Sequence, residues 1–335
     1  MPPPRWVLHL EARCLRLLMA IGMFLHRLAP PRPPPVTFDK WMKASTSARS
    51  GDIGLQFYTP RGYLRRAHNT RYPAVVNFHG GGFTVGTGTD DARWARSVVQ
   101  EAGAICVSVD YRLAPEHPFP TAVDDGVDAI LYLIKHADEL GIDAKRIAVS
   151  GFSAGGNLAF TVPLRLRERG QSNDIKGSSQ GSMSGESEDH TVVAVVAWYP
   201  CVDFSKPRGH RRATNIRPDQ ELAQAYSNLF DASYLYPTGG DMSDPFLSPG
   251  VASDEMLRSL PEDIAIYTCE WDGLCMEGRS FGQRLEKLGK RVKYRMIEGV
   301  PHAWDKAPNP IRTHPEVESS YKEACAELRR VFDEP

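Results

Sequence analysis

The sequence predicts an α/β protein built on a mostly parallel, twisted sheet with helices on both faces. Three observations lead there. Six short runs rich in Val and Ile, at residues 74–79, 104–110, 146–150, 192–199, 264–269 and 291–297, read as strands buried on both faces. Helix-length segments at 92–102, 122–140, 154–169, 276–288 and 316–331 fall between and after them, the alternation that a parallel sheet requires. The chain has 335 residues, 41% of them hydrophobic, which is ample for one large core. No internal repeat interrupts the pattern.

Ahead of the first strand, residues 6–28 are rich in apolar side chains but broken by Glu11, Arg13, Arg16, His26 and Arg27. The uninterrupted stretch, 17–25, is nine residues, against roughly twenty needed to span a bilayer. An amphipathic helix packed on the body of the protein is the favoured reading, and a helix lying in a membrane interface, such as the endoplasmic reticulum surface, is the alternative. A secreted protein is disfavoured, because no small-residue cleavage site follows; the expected location is cytoplasmic. The run APPRPPP at 29–35 then serves as a stiff spacer. Residues 1–45 are therefore expected to form an N-terminal helical segment and 46–335 the main domain.

Two stretches depart from the alternation. Residues 170–190, rich in Ser, Gly and acidic side chains, are expected to be a disordered surface loop. Residues 201–261 carry several prolines and are too long for a simple crossover, so they are expected to be an inserted subdomain over the sheet edge.

Lys plus Arg (40) nearly balances Asp plus Glu (41), so no general field favours nucleic acid. The six cysteines show no paired zinc spacing and read as free thiols, consistent with a reducing compartment.

Chemistry concentrates at four places. Gly151-Phe152-Ser153-Ala154-Gly155 fits G-x-S-x-G between a strand and a helix, where small residues allow the sharp turn that exposes a serine hydroxyl. NFHGGGF, residues 77–83, follows another strand; three glycines leave backbone N–H groups open to a developing oxyanion. The expected donors are the N–H groups of Gly81, Gly82 and Ala154. A phosphate-binding loop is excluded, because the Lys-Ser/Thr that would follow is missing. Asp272 and His302 lie just past the last two strands, on the edge where ligands bind in open α/β sheets, and complete the order Ser, acid, His. Glu270 is the rival acid, and Glu277 reads as a helix-start or hydrogen-bonding residue. In YRLAPEHPFP, residues 111–120, three prolines fix the backbone, and Arg112 and Glu116 are expected to form ion pairs that hold the oxyanion loop.

Together, HGGGF, VDYRLAPEHPFP, GFSAGG, WDGL and PHAW, spread over residues 74–302, resemble the hormone-sensitive lipase family of esterases. That family includes arylacetamide deacetylase and many microbial carboxylesterases. The resemblance implies an α/β-hydrolase fold with an N-terminal helical cap, a Ser153, Asp272 and His302 triad, and no cofactor. Gly273 stands where the family usually has proline, Met276 replaces an Asp, and Ala303-Trp304 is bulkier than the common pair after the histidine. The expected activity is hydrolysis of small to medium apolar or aryl carboxylic esters through an acyl-enzyme, without metal. Amide hydrolysis and acyl transfer use the same triad and stay open. A non-catalytic receptor, as in the plant gibberellin receptors of this family, is disfavoured because His302 is present. Phe83, Phe152, Tyr199, Phe204, Phe230 and Trp304 are candidate pocket walls, and a dimer is compatible with the sequence.

Overall fold

The computed structural model describes residues 3–178, 192–237 and 239–334. In chain order it contains α1 (Arg5–Leu28), β1 (Phe38–Lys43), β2 (Asp52–Tyr58), β3 (Tyr72–Phe78), α2 (Ala92–Ser97), β4 (Ile105–Asp110), α3 (Thr121–Lys135) and α4 (Ala137–Leu140). There follow β5 (Ile142–Phe152), α5 (Ala154–Ser178), β6 (Ala194–Trp198), α6 (Arg208–Arg212), α7 (Gln224–Tyr234), α8 (Asp254–Arg258), β7 (Asp263–Trp271), α9 (Cys275–Lys287), β8 (Arg291–Pro301) and α10 (Glu316–Asp333). Eight strands make one sheet in the order β1-β2-β4-β3-β5-β6-β7-β8. β1 and β2 are antiparallel to their neighbours, and the six from β3 to β8 run parallel.

Alternate residues of the strands face two separate cores, because side chains leave a strand with period two. Ala74, Val76 and Phe78 of β3 join Val127 of α3, Leu158 of α5 and Phe281 of α9 on one face. Val75 of the same strand, with Cys106 and Ala265, packs against Trp94 of α2 and Leu328 of α10 on the other. Both faces are covered, which is why the parallel strands read as continuous apolar runs.

Several boundaries differ from the sequence reading. Neither β1 nor β2 is among the six expected strands: they pair from Phe38↔Phe57 to Lys43↔Asp52, and β2 pairs in turn with β4, so a boundary at 45/46 cuts a hairpin of the main sheet. The alternating burial of β1 is that of an exposed edge strand, a weaker signal than an apolar run. The expected helix over 122–140 breaks at His136 (φ −105°) into α3 and α4. α5 continues to Ser178, into the expected loop; the rest of that loop, 179–190, lies outside the described residues. The 201–261 segment serves two places: Phe204 and Phe230 line a cavity, whereas Ala252, Leu257 and Leu260 belong to the core beside α5.

α1 packs on the body through Leu8, Ala12, Met23 and His26. Arg93 fastens its end, donating to the carbonyls of His26 and Ala29 at 2.8 and 2.7 Å. No helix among the described residues is long and apolar enough to cross a membrane. All six cysteines are unpaired, and Cys14 alone of them is exposed.

Candidate active site

Ser153 directly follows the last residue of β5 and precedes the first of α5. Its φ is 54°, in the left-handed region that L side chains avoid. The turn is tight enough that a Cβ on Gly151 would overlap the Gly155 carbonyl, and one on Gly155 would overlap the Phe78 carbonyl. The Ser153 N–H donates to the Trp198 carbonyl at 2.8 Å, tying the turn to β6. Local strain at a reactive residue is thus held by its surroundings.

His302 and Asp272 likewise come directly after β8 and β7. The His302 Nε2 lies 2.8 Å from Ser153 Oγ, and its Nδ1 lies 2.6 Å from Asp272 Oδ2. Asp272 is buried, and its other oxygen accepts the Leu274 N–H at 3.0 Å. Burial disfavours the imidazolium, but the Asp272 carboxylate outweighs it and raises the His302 pKa above 6.5. The Tyr199 ring meets the imidazole edge-on, with centroids 4.8 Å apart. The rival acid, Glu270, is turned elsewhere: it accepts the Gly299 N–H at 2.7 Å. Glu277 accepts the Val202 N–H at 2.8 Å and pairs with Arg211, and burial pushes its pKa up to about 7.

The glycine loop lies beside the serine. Gly81 (φ 114°) and Gly82 (φ 58°) adopt positive φ, and with Ser153 and Ala154 they line one cavity. His79 and Tyr111 stack beneath the loop at 4.2 Å, and the Tyr111 hydroxyl donates to the His79 carbonyl at 2.8 Å. Of the expected ion pairs, Glu116 makes one, but its partner comes from α1. Arg16 binds both Glu116 oxygens, at 3.1 and 2.7 Å, and donates to the carbonyls of Thr84 and Ala114, each at 2.8 Å. Burial opposes charge on Glu116, yet the bonds from Arg16 and His9 hold its pKa down to about 2. Arg112 pairs instead with buried Asp125 and donates to the Arg49 carbonyl at 2.6 Å, so it anchors the β1–β2 connection rather than the oxyanion loop.

A polar network absent from the sequence reading lies under the site. The Lys306 ammonium sits 2.8 Å from Asp305 and 2.9 Å from Asp91, and 3.4 Å above the Phe152 ring. Asp305 accepts from the hydroxyls of Tyr199, at 2.6 Å, and Tyr321. Asp91 accepts from Asn77 of β3 at 2.8 Å. Burial alone would discharge Lys306, but the two carboxylates hold its pKa above 10.5. The His302 loop is thereby fixed to β3 and to the floor of the cavity.

The cavity has a volume of about 500 Å³, within the usual range for small-molecule sites. Phe83, Phe152, Tyr199, Phe204, Phe230 and Trp304 all line it, with Met19 and Met23 of α1 and Tyr226 of α7. Phe83 stacks on Tyr234 at 3.7 Å. Glu116 and His117 do not reach its wall.

A family model described as the alpha/beta hydrolase fold matches residues 75–306. The chain belongs to the α/β-hydrolase family, in its hormone-sensitive lipase-like group. It is 34% identical to the carboxylesterase NlhH of Mycobacterium tuberculosis over 250 residues, covering 72% of this chain and 70% of that one. Arylacetamide deacetylase-like 2 of Homo sapiens is 29% identical over 297 residues, 75% and 71% of the two chains. Among solved structures, the hyperthermophilic esterase of Pyrobaculum calidifontis superposes with a TM-score of 0.77 at 29% identity, covering 99% of each chain.

Proposed function

We propose that Ser153, His302 and Asp272 are the catalytic triad of this carboxylic ester hydrolase. The observation that carries this is the unbroken chain from Asp272 through His302 to the Ser153 hydroxyl, at 2.6 and 2.8 Å. Ser153 Oγ attacks the ester carbonyl while its proton passes to His302 Nε2. Asp272 fixes the tautomer through Nδ1 and stabilises the imidazolium. The N–H groups of Gly81, Gly82 and Ala154 receive the negative charge that moves to the carbonyl oxygen. His302 then protonates the departing alcohol, and water, deprotonated by the same nitrogen, releases the acid from Ser153.

The substrate class is an ester with an apolar acyl or aryl group of small to medium size. An aromatic-walled cavity of about 500 Å³ supports that reading. α1 and residues 201–237 act as a cap that keeps bulk water from the acyl group. A series of p-nitrophenyl esters of increasing acyl length tests it: turnover is expected for short and medium chains with native protein and is lost in Ser153→Ala. Turnover that persists in the variant overturns the assignment.

A further inference from the structure

α1 presents a second apolar face, directed away from the protein. Trp6, Leu10, Leu17, Leu18, Ile21 and Phe24 are 52–69% exposed. Five of the six recur at steps that keep them on one helical stripe, opposite the buried Leu8, Ala12, Met23 and His26. Among the described residues, seven of the sixteen large apolar side chains left exposed lie on this helix, Leu28 being the seventh. Neither folding nor the cavity accounts for a row of this kind on a water-facing surface.

Charge is segregated at the same place. Residues 3–37 hold five arginines and a single carboxylate, Glu11, in a chain whose net charge is −1. Arg5, Arg13 and Arg32 are exposed and have no carboxylate partner among the described residues. An apolar stripe bordered by arginine matches the acyl and anionic headgroup layers of a lipid surface. No helix among the described residues is able to span a bilayer, and α1 is suited to lie in the interface. The opposite side of this helix lines the cavity through Leu15, Met19, Gly22 and Met23. Leu222 and Tyr226 line the cavity as well and reach the surface at 39% exposure, and the helix carrying Tyr226 packs against α1.

We propose that the outward face of α1 docks the protein on an anionic lipid bilayer, so that apolar esters pass from the interface into the cavity. The docking step stands on α1 alone; the entry of esters rests on the hydrolase reading above.

The test is flotation of the full chain with vesicles of phosphatidylcholine, with and without phosphatidylserine. Native protein and Ser153→Ala are expected to float with the anionic vesicles alike, which separates docking from catalysis. The double variant Leu17→Glu/Ile21→Glu alters only exposed positions. It is expected to lose more than about tenfold in binding, with its circular dichroism and vesicle-free p-nitrophenyl butyrate turnover unchanged. Arg13→Ala should weaken binding to anionic vesicles about fivefold. Failure of native protein to float, or equal flotation of the double variant, overturns the proposal. So does a native dimer that the double variant dissociates, since the face would then belong to a second copy. Flotation of a protein without esterase turnover would sustain docking and defeat only the hydrolase reading.

Discussion

The sheet's carboxyl edge and the cap above it enclose one cavity, but they place their side chains by different means. At the edge, Ser153, Asp272 and His302 are each the residue directly after a strand, β5, β7 and β8. Register within a sheet whose both faces are buried fixes where those strands end, and so where the three side chains stand. In the cap, position comes from contacts between remote segments: Arg16 meets Glu116 across 100 residues of chain, and Phe230 rests where any side chain on Gly82 would have to be. Substitutions at the edge should therefore strike the chemical step, and substitutions in the cap should alter selection and loop placement.

The largest effect expected is at the edge. Asp272→Asn should lower kcat by about 10⁴, since the imidazole loses its orienting carboxylate. Asp272 is also what raises the His302 pKa, and the base works only when neutral. The acid limb of the rate profile should thus lie above pH 6.5 in native protein and move to lower pH in the variant. A pH–rate profile on both measures this.

Next comes the network under the edge, which ties the His302 loop to β3. Lys306→Met strands Asp305 and Asp91 without their cation in a buried site, an expected loss of about 3–5 kcal/mol. Denaturant unfolding reads it as a lower midpoint; an unchanged midpoint would remove the network from the account.

In the cap, Phe230→Ala opens the wall beside Gly82. It should shift kcat/KM toward longer acyl chains by about tenfold or more, the usual worth of a methylene or two in an apolar pocket. An unaltered chain-length preference would show that the cap does not select.

The smallest effect expected is from Arg16→Ala. It should reduce kcat about tenfold by releasing the oxyanion loop, with little change in KM, and a mainly binding defect would contradict this clamp. The stabilising contribution of Glu116 should also weaken. Its folded pKa of about 2 lies below the ordinary 4.5; the contribution is present above that ordinary value and fades as pH falls toward 2. Native protein should consequently exceed the variant in stability by its full margin above pH 4.5, and that margin should shrink as pH falls toward 2 in an acid unfolding series.

The same contrast explains what could be read from the chain alone. GFSAGG, HGGGF, WDGL and PHAW are local signals, because the turn after a buried strand demands particular small residues and the chemistry demands particular side chains. The six parallel strands were legible for the related reason that burial on both faces leaves an unbroken apolar run. β1 and β2 were not: β1, an edge strand with one exposed face, alternates and competes with loop readings, and the apolar run of β2 is interrupted by Gly54 and Gln56. Neither the Arg16 clamp nor the Lys306 network has a local pattern: each joins segments that only the folded sheet brings together. Arg112 shows the converse error, where a motif correctly suggested an ion pair but not its partner. The 201–261 segment was seen as one insertion because its prolines and short helices look alike throughout. The structure divides it, with Phe204 and Phe230 at the cavity and Leu257 in the core.

The central claim, that Ser153 is the nucleophile activated by His302, is tested most directly by reaction with a fluorophosphonate followed by peptide mass mapping. One adduct per chain on Ser153 is expected, absent in Ser153→Ala and formed far more slowly in His302→Ala. An adduct on another residue, or undiminished labelling of either variant, would contradict it.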